Sequence, residues 1–267
     1  MDTSILAKFR VLKYIICFFV LFSNIAAAQQ ESETLRNYVA LTTGDNYYPF
    51  VDPKALDNGW SVAIMKAVFQ QMEKELNIDV LPWQRGYKWA YEGRYEGTFP
   101  YVFTNERAQR FLYSNPINSV PVRVYTAKHK HITSMEQLTK GRLCLPRGYS
   151  LSSELESVIK EYQLIIQTAA DAGGCVLQVE KGWSDLGFIN GYMKSENVNR
   201  LFTSMDKVNV LEIPIANIPL YYIVSRKNID AQLHIERFNQ ALDAIIASGE
   251  KQKIDQRFTQ FFEQSEK

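Results

Sequence analysis

YVALTTGDNYYPFVDPKALDNGWSVAIMKAVFQQMEKELNIDVL, residues 38–81, carries three patterns in succession. Tyr38 to Thr43 is an apolar, β-prone run that stops at Gly44, as a buried strand does. From Trp60 to Leu76 the apolar residues Val62, Ile64, Met65, Val68, Phe69 and Met72 fall on one helical stripe. Ile78 to Leu81 is a second short strand, ended by Pro82. Strand, helix and strand in that order predict a parallel pair with a helix on its face, the unit of an α/β fold.

Outward from this unit the alternation continues. A short helix is expected around Tyr87 to Tyr91, then strands at Thr98 to Phe103 and Val120 to Thr126. The pattern restarts with a helical turn at Met135 to Leu138 and a strand at Arg142 to Leu145. Ser150 to Tyr162 follows as an amphipathic helix whose serines and Glu154 suit its N-terminus. Leu164 to Thr168, Leu186 to Ile189, Val208 to Ile213 and Leu220 to Ser225 are expected strands, with a helix at Gly174 to Glu180. Two terminal helices, Ile229 to Ala247 and Glu250 to Phe262, are separated by Gly249. The two runs of units are joined near 120–130 and again near 214–220, where Pro214 and Pro219 mark the end of paired strand. The expectation is two lobes, with 125–217 inserted between 29–124 and 218–267.

The N-terminus has its own logic. Lys8, Arg10 and Lys13 precede an apolar run from Tyr14 to Phe22, and Ala26, Ala27 and Ala28 follow. That order predicts a signal peptide, residues 1–28, cleaved after Ala28, and hence an exported protein. Cys17 lacks small residues before it, which argues against lipidation. Cleavage removes Lys8, Arg10, Lys13 and Asp2 from a chain of 30 basic and 29 acidic residues, leaving it one charge negative. A near-neutral chain gives no support for nucleic-acid binding, and no later segment is long and apolar enough to span a membrane.

Cys144 and Cys175 remain after cleavage. In an oxidising compartment the pair is expected to be bonded, worth roughly 3 kcal/mol by the chain-entropy argument. Two buried reduced thiols are the alternative. No metal site is expected: His129 and His131 sit in a Lys-rich turn, His234 is remote, and no CxxC or HxxxH spacing occurs.

The densest segment is PWQRGYKWAYEGRYEGTFPYVFTNERAQRFLYSNP, residues 82–116. Its aromatics are too closely spaced to enter one core. Some must line a surface or cleft, where flat rings offer contact area at low entropic cost. Within it, Thr104 is placed to accept a hydrogen bond from the N–H of Arg107, three residues on. The guanidinium would then stand beside free backbone donors, a combination that suits a carboxylate. A surface salt bridge of Arg107 is the alternative.

These residues also carry a resemblance. Thr104-Asn105-Glu106-Arg107, then Phe111, Ser114 and Pro116, resemble the T-x-E-R and F-x-x-S-x-P run of family 3 extracellular solute-binding proteins. Tyr47-Tyr48-Pro49-Phe50 is similar to the family's aromatic-Pro-Phe loop, and Phe238, Asn239, Ala241, Leu242 and Gly249 to its terminal pattern. The likeness spans Tyr38 to Phe262. It implies an α/β, two-lobed type II periplasmic-binding fold, each lobe a mixed sheet flanked by helices, with the ligand cleft between them.

By the same resemblance Arg107 would pin a ligand carboxylate, and Phe99, Pro100, Tyr101 and Val102 would line the cleft. Tyr47 and Tyr48 would cover the ligand, with Trp60 and Trp83 as walls. From the second lobe, Gly148, Tyr149 and Ser150 enter a helix, whose free N–H groups favour an anion; plain capping is the other reading of Gly148 and Ser150. Family members that take α-amino acids commonly carry an aspartate where this chain has Asn190, and an amide neutralises an ammonium poorly. Val102 likewise stands where a hydroxyl residue is common.

The function implied is periplasmic binding of a small polar, carboxylate-bearing solute by lobe closure, without catalysis or cofactor, by a monomer. An ABC permease is the implied partner, or a membrane receptor if the protein is a sensor. A cleft enzyme of lytic or dehydratase type is the alternative, with Glu92, Glu96, Glu106 and Asp185 as its candidate acids.

Overall fold

The computed structural model describes residues 37–45, 47–192 and 207–264; the expected signal peptide, 1–28, lies outside them. β1 (Tyr38–Thr43) is central in its lobe, parallel to β2 (Glu75–Val80) on one side and β3 (Gly97–Val102) on the other. α1 (Trp60–Gln71) crosses between β1 and β2, and α2 (Trp83–Tyr91) leads into β3. α1 is shorter than its apolar stripe implies. Glu73 takes φ +55°, which ends the helix, and Leu76 and Ile78 become alternate positions of an edge strand.

α3 (Asn105–Ala108) and β4 (Phe111–Tyr113) precede β5 (Asn118–Ala127), a ten-residue strand. The inserted lobe holds β6 (Arg142–Pro146), α4 (Ser153–Glu161), β7 (Ile165–Ala169), α5 (Ala172–Glu180), β8 (Leu186–Asn190) and β9 (Val208–Val210). β10 (Ala216–Ser225), also ten residues, returns to the first lobe, and α6 (Ala231–Ala247) and α7 (Glu250–Gln264) close the chain. Gly249, at φ +78°, provides the break between the last two helices.

One sheet runs through both lobes in the order β2-β1-β3-β10-β5-β8-β6-β7, with β4 on β10 and β9 on β5. β5 and β10 are its bridge. They pair with each other only between Asn118–Val122 and Ala216–Leu220; beyond that, β10 pairs with β3 and β4, and β5 with β8 and β9. The expected boundaries at 124/125 and 217/218 fall inside these two strands. Pro219 does not end the pairing, as the sequence suggested: it lies opposite Ser119, and Pro121 lies opposite Asn217. Pro219 immediately precedes the first residue of β10 that pairs with β3, Leu220, so its missing N–H falls at a ladder end.

The first lobe's core sets large rings among aliphatic side chains. The buried face of α1 (Ile64, Met65, Val68, Phe69) packs with Phe50, Phe99, Tyr222, Phe238 and Phe258, all nearly inaccessible. The inserted lobe has smaller clusters, one around Leu143, Leu145, Val158 and Leu186 and another around Tyr125, Val176 and Val179. It is also stapled, because Cys144 and Cys175, 31 residues apart, form a disulfide. Asp185, at the entry to β8, accepts from Lys130 Nζ at 2.8 Å and from Arg142 Nε and backbone N–H, each at 2.9 Å. The Arg142 guanidinium foremost, with Lys130, holds this carboxyl well below the usual carboxylate range.

Among the described residues no helix is long and apolar enough to cross a membrane. Nor could any group of three or more His, Cys, Asp or Glu among them hold a metal ion.

Candidate ligand-binding cleft

The cleft is built around the turn from β3 into α3. Thr104 caps α3, its Oγ1 accepting the Arg107 N–H at 3.2 Å. This one-turn helix points the arginine back over its own strand. Nη1 donates to the Val102 carbonyl at 3.0 Å, and the guanidinium carbon lies 5.2 Å from the Tyr101 ring centroid. Nη2 reaches across to the inserted lobe and donates to Ser150 Oγ at 3.0 Å. Among the described residues no carboxylate pairs with Arg107.

Around the arginine the two lobes enclose a cleft of about 800 Å³. The first lobe contributes Trp83, Tyr87, Tyr101 and Phe103, and the inserted lobe Gly148, Tyr149 and Ser150. Trp83 is set by β1. A Cβ at Gly44 would collide with its indole, whose N–H donates to the Asp45 carbonyl at 3.0 Å. Gly148 adopts φ +79° with open space where a Cβ would be, so the backbone and not crowding favours glycine there. The cap of α4 is Ser152, whose Oγ accepts from the Leu155 N–H. Ser150, which the sequence placed inside that helix, precedes it and is left for Arg107.

The phenols nearby are neutral donors. Burial pushes the Tyr101 and Tyr113 hydroxyls up to about 12, with Arg107 opposing the shift. Tyr47 is raised further, chiefly by burial and then by Tyr149, again against Arg107. One guanidinium among un-ionised phenols is a site for an anion.

Other residues singled out in the sequence lie elsewhere. Trp60 is in the core, its ring stacked on Phe258 at 5.5 Å and its N–H donating to Asp255 at 2.8 Å. Phe99 and Pro100 are buried in β3 and do not line the cleft, and Val102 serves through its carbonyl. Tyr47 sits behind the lining, edge-on to Trp83 at 5.9 Å. Asn190 is occupied at both ends: Nδ2 donates to the Tyr48 carbonyl at 2.9 Å, and Oδ1 accepts the Tyr192 N–H at 3.0 Å.

Tyr87, Phe103 and Glu156 line the cleft without having been chosen from the sequence. The four-residue step from Trp83 to Tyr87, one face of α2, was the available signal. Of the four candidate acids, only Glu106 lines the cleft. Glu92 pairs with Lys88 and Arg94, Glu96 accepts from Asn228, and Asp185 is held by Arg142 and Lys130.

Two lobes, a sheet continuous through paired crossing strands and a cleft between them define a type II periplasmic-binding-protein-like fold. The profile of bacterial extracellular solute-binding proteins, family 3, matches residues 39–261, and the chain belongs to that family. Solved structures agree on the fold. The probable amino-acid ABC transporter extracellular-binding protein ytmK from Bacillus subtilis is 16% identical, with a TM-score of 0.64 over 82% of this chain and 96% of that one. The second substrate-binding domain of Lactococcus lactis GlnP, in its open conformation, is 20% identical, with a TM-score of 0.55 over 82% and 93%. An ancestral amino acid-binding protein, a precursor of cyclohexadienyl dehydratase, is 17% identical, with a TM-score of 0.59 over 85% and 97%. No curated protein sequence matches the chain.

Proposed function

We propose that this protein binds a small, carboxylate-bearing solute in the periplasm and hands it to an ABC permease, without chemical change. The observation that carries this reading is Arg107. It is fixed by the Val102 carbonyl, joined to Ser150 across the cleft and free of any carboxylate among the described residues. A ligand carboxylate can take up the fork bidentately and link the lobes through it. The lobes are 29–124 with 218–267, and 125–217, swinging about β5 and β10. Closure is the signal a permease reads. Residues 1–28 direct export.

The test is a thermal-shift screen over amino acids, small peptides, polyamines and organic acids. A ligand at a hundredfold above its dissociation constant adds about 2.7 kcal/mol. Arg107→Ala is expected to remove that stabilisation while leaving the ligand-free melting temperature nearly unchanged. Undiminished stabilisation in the variant rejects the assignment. Recovery of each ligand intact after incubation supports binding alone; turnover that disappears in Glu106→Gln supports the enzyme.

A further inference from the structure

We infer that the ligand is an aromatic monocarboxylate with no α-ammonium group, a deepening that rests on the binding reading above. Three observations converge.

The first is the charge around Arg107. Its neighbours at the inner end of the cleft are a carbonyl, a serine hydroxyl and neutral phenols. The carboxylates on the lining, Glu106 and Glu156, belong to exposed residues. An ammonium on the carbon next to the carboxylate would leave water for a place beside a guanidinium, without a buried counter-charge.

The second is Asn190. The amide that ends β8 is tied to the first lobe, donating to the Tyr48 carbonyl and accepting from the Tyr192 N–H. The amide does not line the cleft, so it offers a ligand there no counter-group. The Tyr192 ring then closes edge-on against Phe50 at 5.8 Å and Trp60 at 5.7 Å. The space beside Arg107 is therefore lined without Asn190 or Tyr192.

The third is what lines that space. Trp83, Tyr87, Tyr101, Phe103 and Tyr149 present five rings to a cleft of about 800 Å³ with one cation. Phe103 and Tyr149 stay 39% and 42% exposed, so they have area left for a guest. Rings around a void favour a flat, apolar guest by stacking and edge contacts. A second carboxylate would meet Glu106 and Glu156 on the lining and no second cation, which restricts the guest to one.

Calorimetric titration of the intact exported protein with four probes tests this. 3-Phenylpropanoate is expected to bind. L-Phenylalanine, which adds only the ammonium, is expected to bind at least about tenfold more weakly, the cost of an unpaired polar group. Hexanoate, which lacks the ring, is expected to lose roughly three- to tenfold, and terephthalate to bind more weakly still. The exposed pair Phe103→Ala and Tyr149→Ala is expected to weaken 3-phenylpropanoate about tenfold with the melting temperature preserved. Equal binding of L-phenylalanine and its deaminated analogue overturns the absence of an ammonium site. Equal binding of hexanoate, or no effect of the two ring variants, overturns the aromatic guest. If no probe binds while the wider screen finds an Arg107-dependent ligand, this inference fails and the binding function stands. If nothing binds at all, both fall.

Discussion

In the lobe that carries α1, buried rings sit at the centre of one large core. Phe50, Phe69, Phe238 and Phe258 are almost fully buried, and Phe69, Tyr222 and Phe238 touch one another with centroids 4.7–6.1 Å apart. The inserted lobe has branched aliphatics in separate clusters, a disulfide and one carboxylate shared between two cations. The difference follows from size. A short inserted segment buries a smaller fraction of its surface, so a covalent and an electrostatic tie make up what packing does not supply. The first lobe should therefore fail by cavity formation and the second by release of a constraint.

The largest effect is expected in the ring core. Phe238→Ala removes a ring with no exposed surface and should cost about 3–5 kcal/mol in urea unfolding; a loss below about 1 kcal/mol would deny that the rings carry this lobe. Replacing both cysteines by alanine should cost roughly 3 kcal/mol. Amide exchange should then quicken in β6, β7 and α5 and stay unchanged in α1 and α6. Uniform quickening would show that the two lobes unfold as one.

Asp185→Asn comes next, at about 1 kcal/mol once solvent screening of a partly exposed site is allowed for, and the loss should shrink at high salt. In the parent protein Asp185 is depressed in the fold. Its contribution is full above the unfolded carboxylate value and disappears as pH falls through the lower, folded one; Asp185→Asn should flatten that acid limb.

The smallest effect belongs to the first lobe. Burial, before any nearby charge, lowers His234, whose Nε2 lies 2.8 Å from the Tyr222 hydroxyl. The unfolded chain therefore takes up this proton at higher pH than the fold does. Stability is full above about pH 6.5 and declines as the pH drops below it. His234→Gln should reduce the slope below about pH 6.5. An unchanged slope would place the titrating group elsewhere.

The same contrast shows what the sequence could reveal. Buried runs such as Tyr38–Thr43 and the cap of Thr104 on Arg107 are local, and both were legible. The strand at Ile78 was legible too, but the start of β2 at Glu75 was not, because Leu76 extends the helical stripe of α1 and the stop at Glu73 is a left-handed non-glycine with no punctuation around it. β4, three residues long, is too short for any period. In the site, Arg107 was found because its cap lies three residues away. The engagement of Asn190 was not, since its acceptor is a backbone carbonyl 142 residues distant. Tyr87 and Glu156 share a lining only because the lobes face each other, a relation that no pattern along either helix records.

Pro121 and Pro219 have a mechanical consequence. Both stand in the five-residue stretch where β5 and β10 pair, and neither has an N–H to donate. The Pro121 carbonyl accepts from Gly191, and those of Val122 and Leu220 accept across the bridge, so both prolines face outward and the β5–β10 ladder keeps its donors, while the fixed φ of each ring limits how the chain can bend. A strip so made holds its pairing while losing bending freedom at two points, which favours rotation about the strand pair over a general loosening of the sheet.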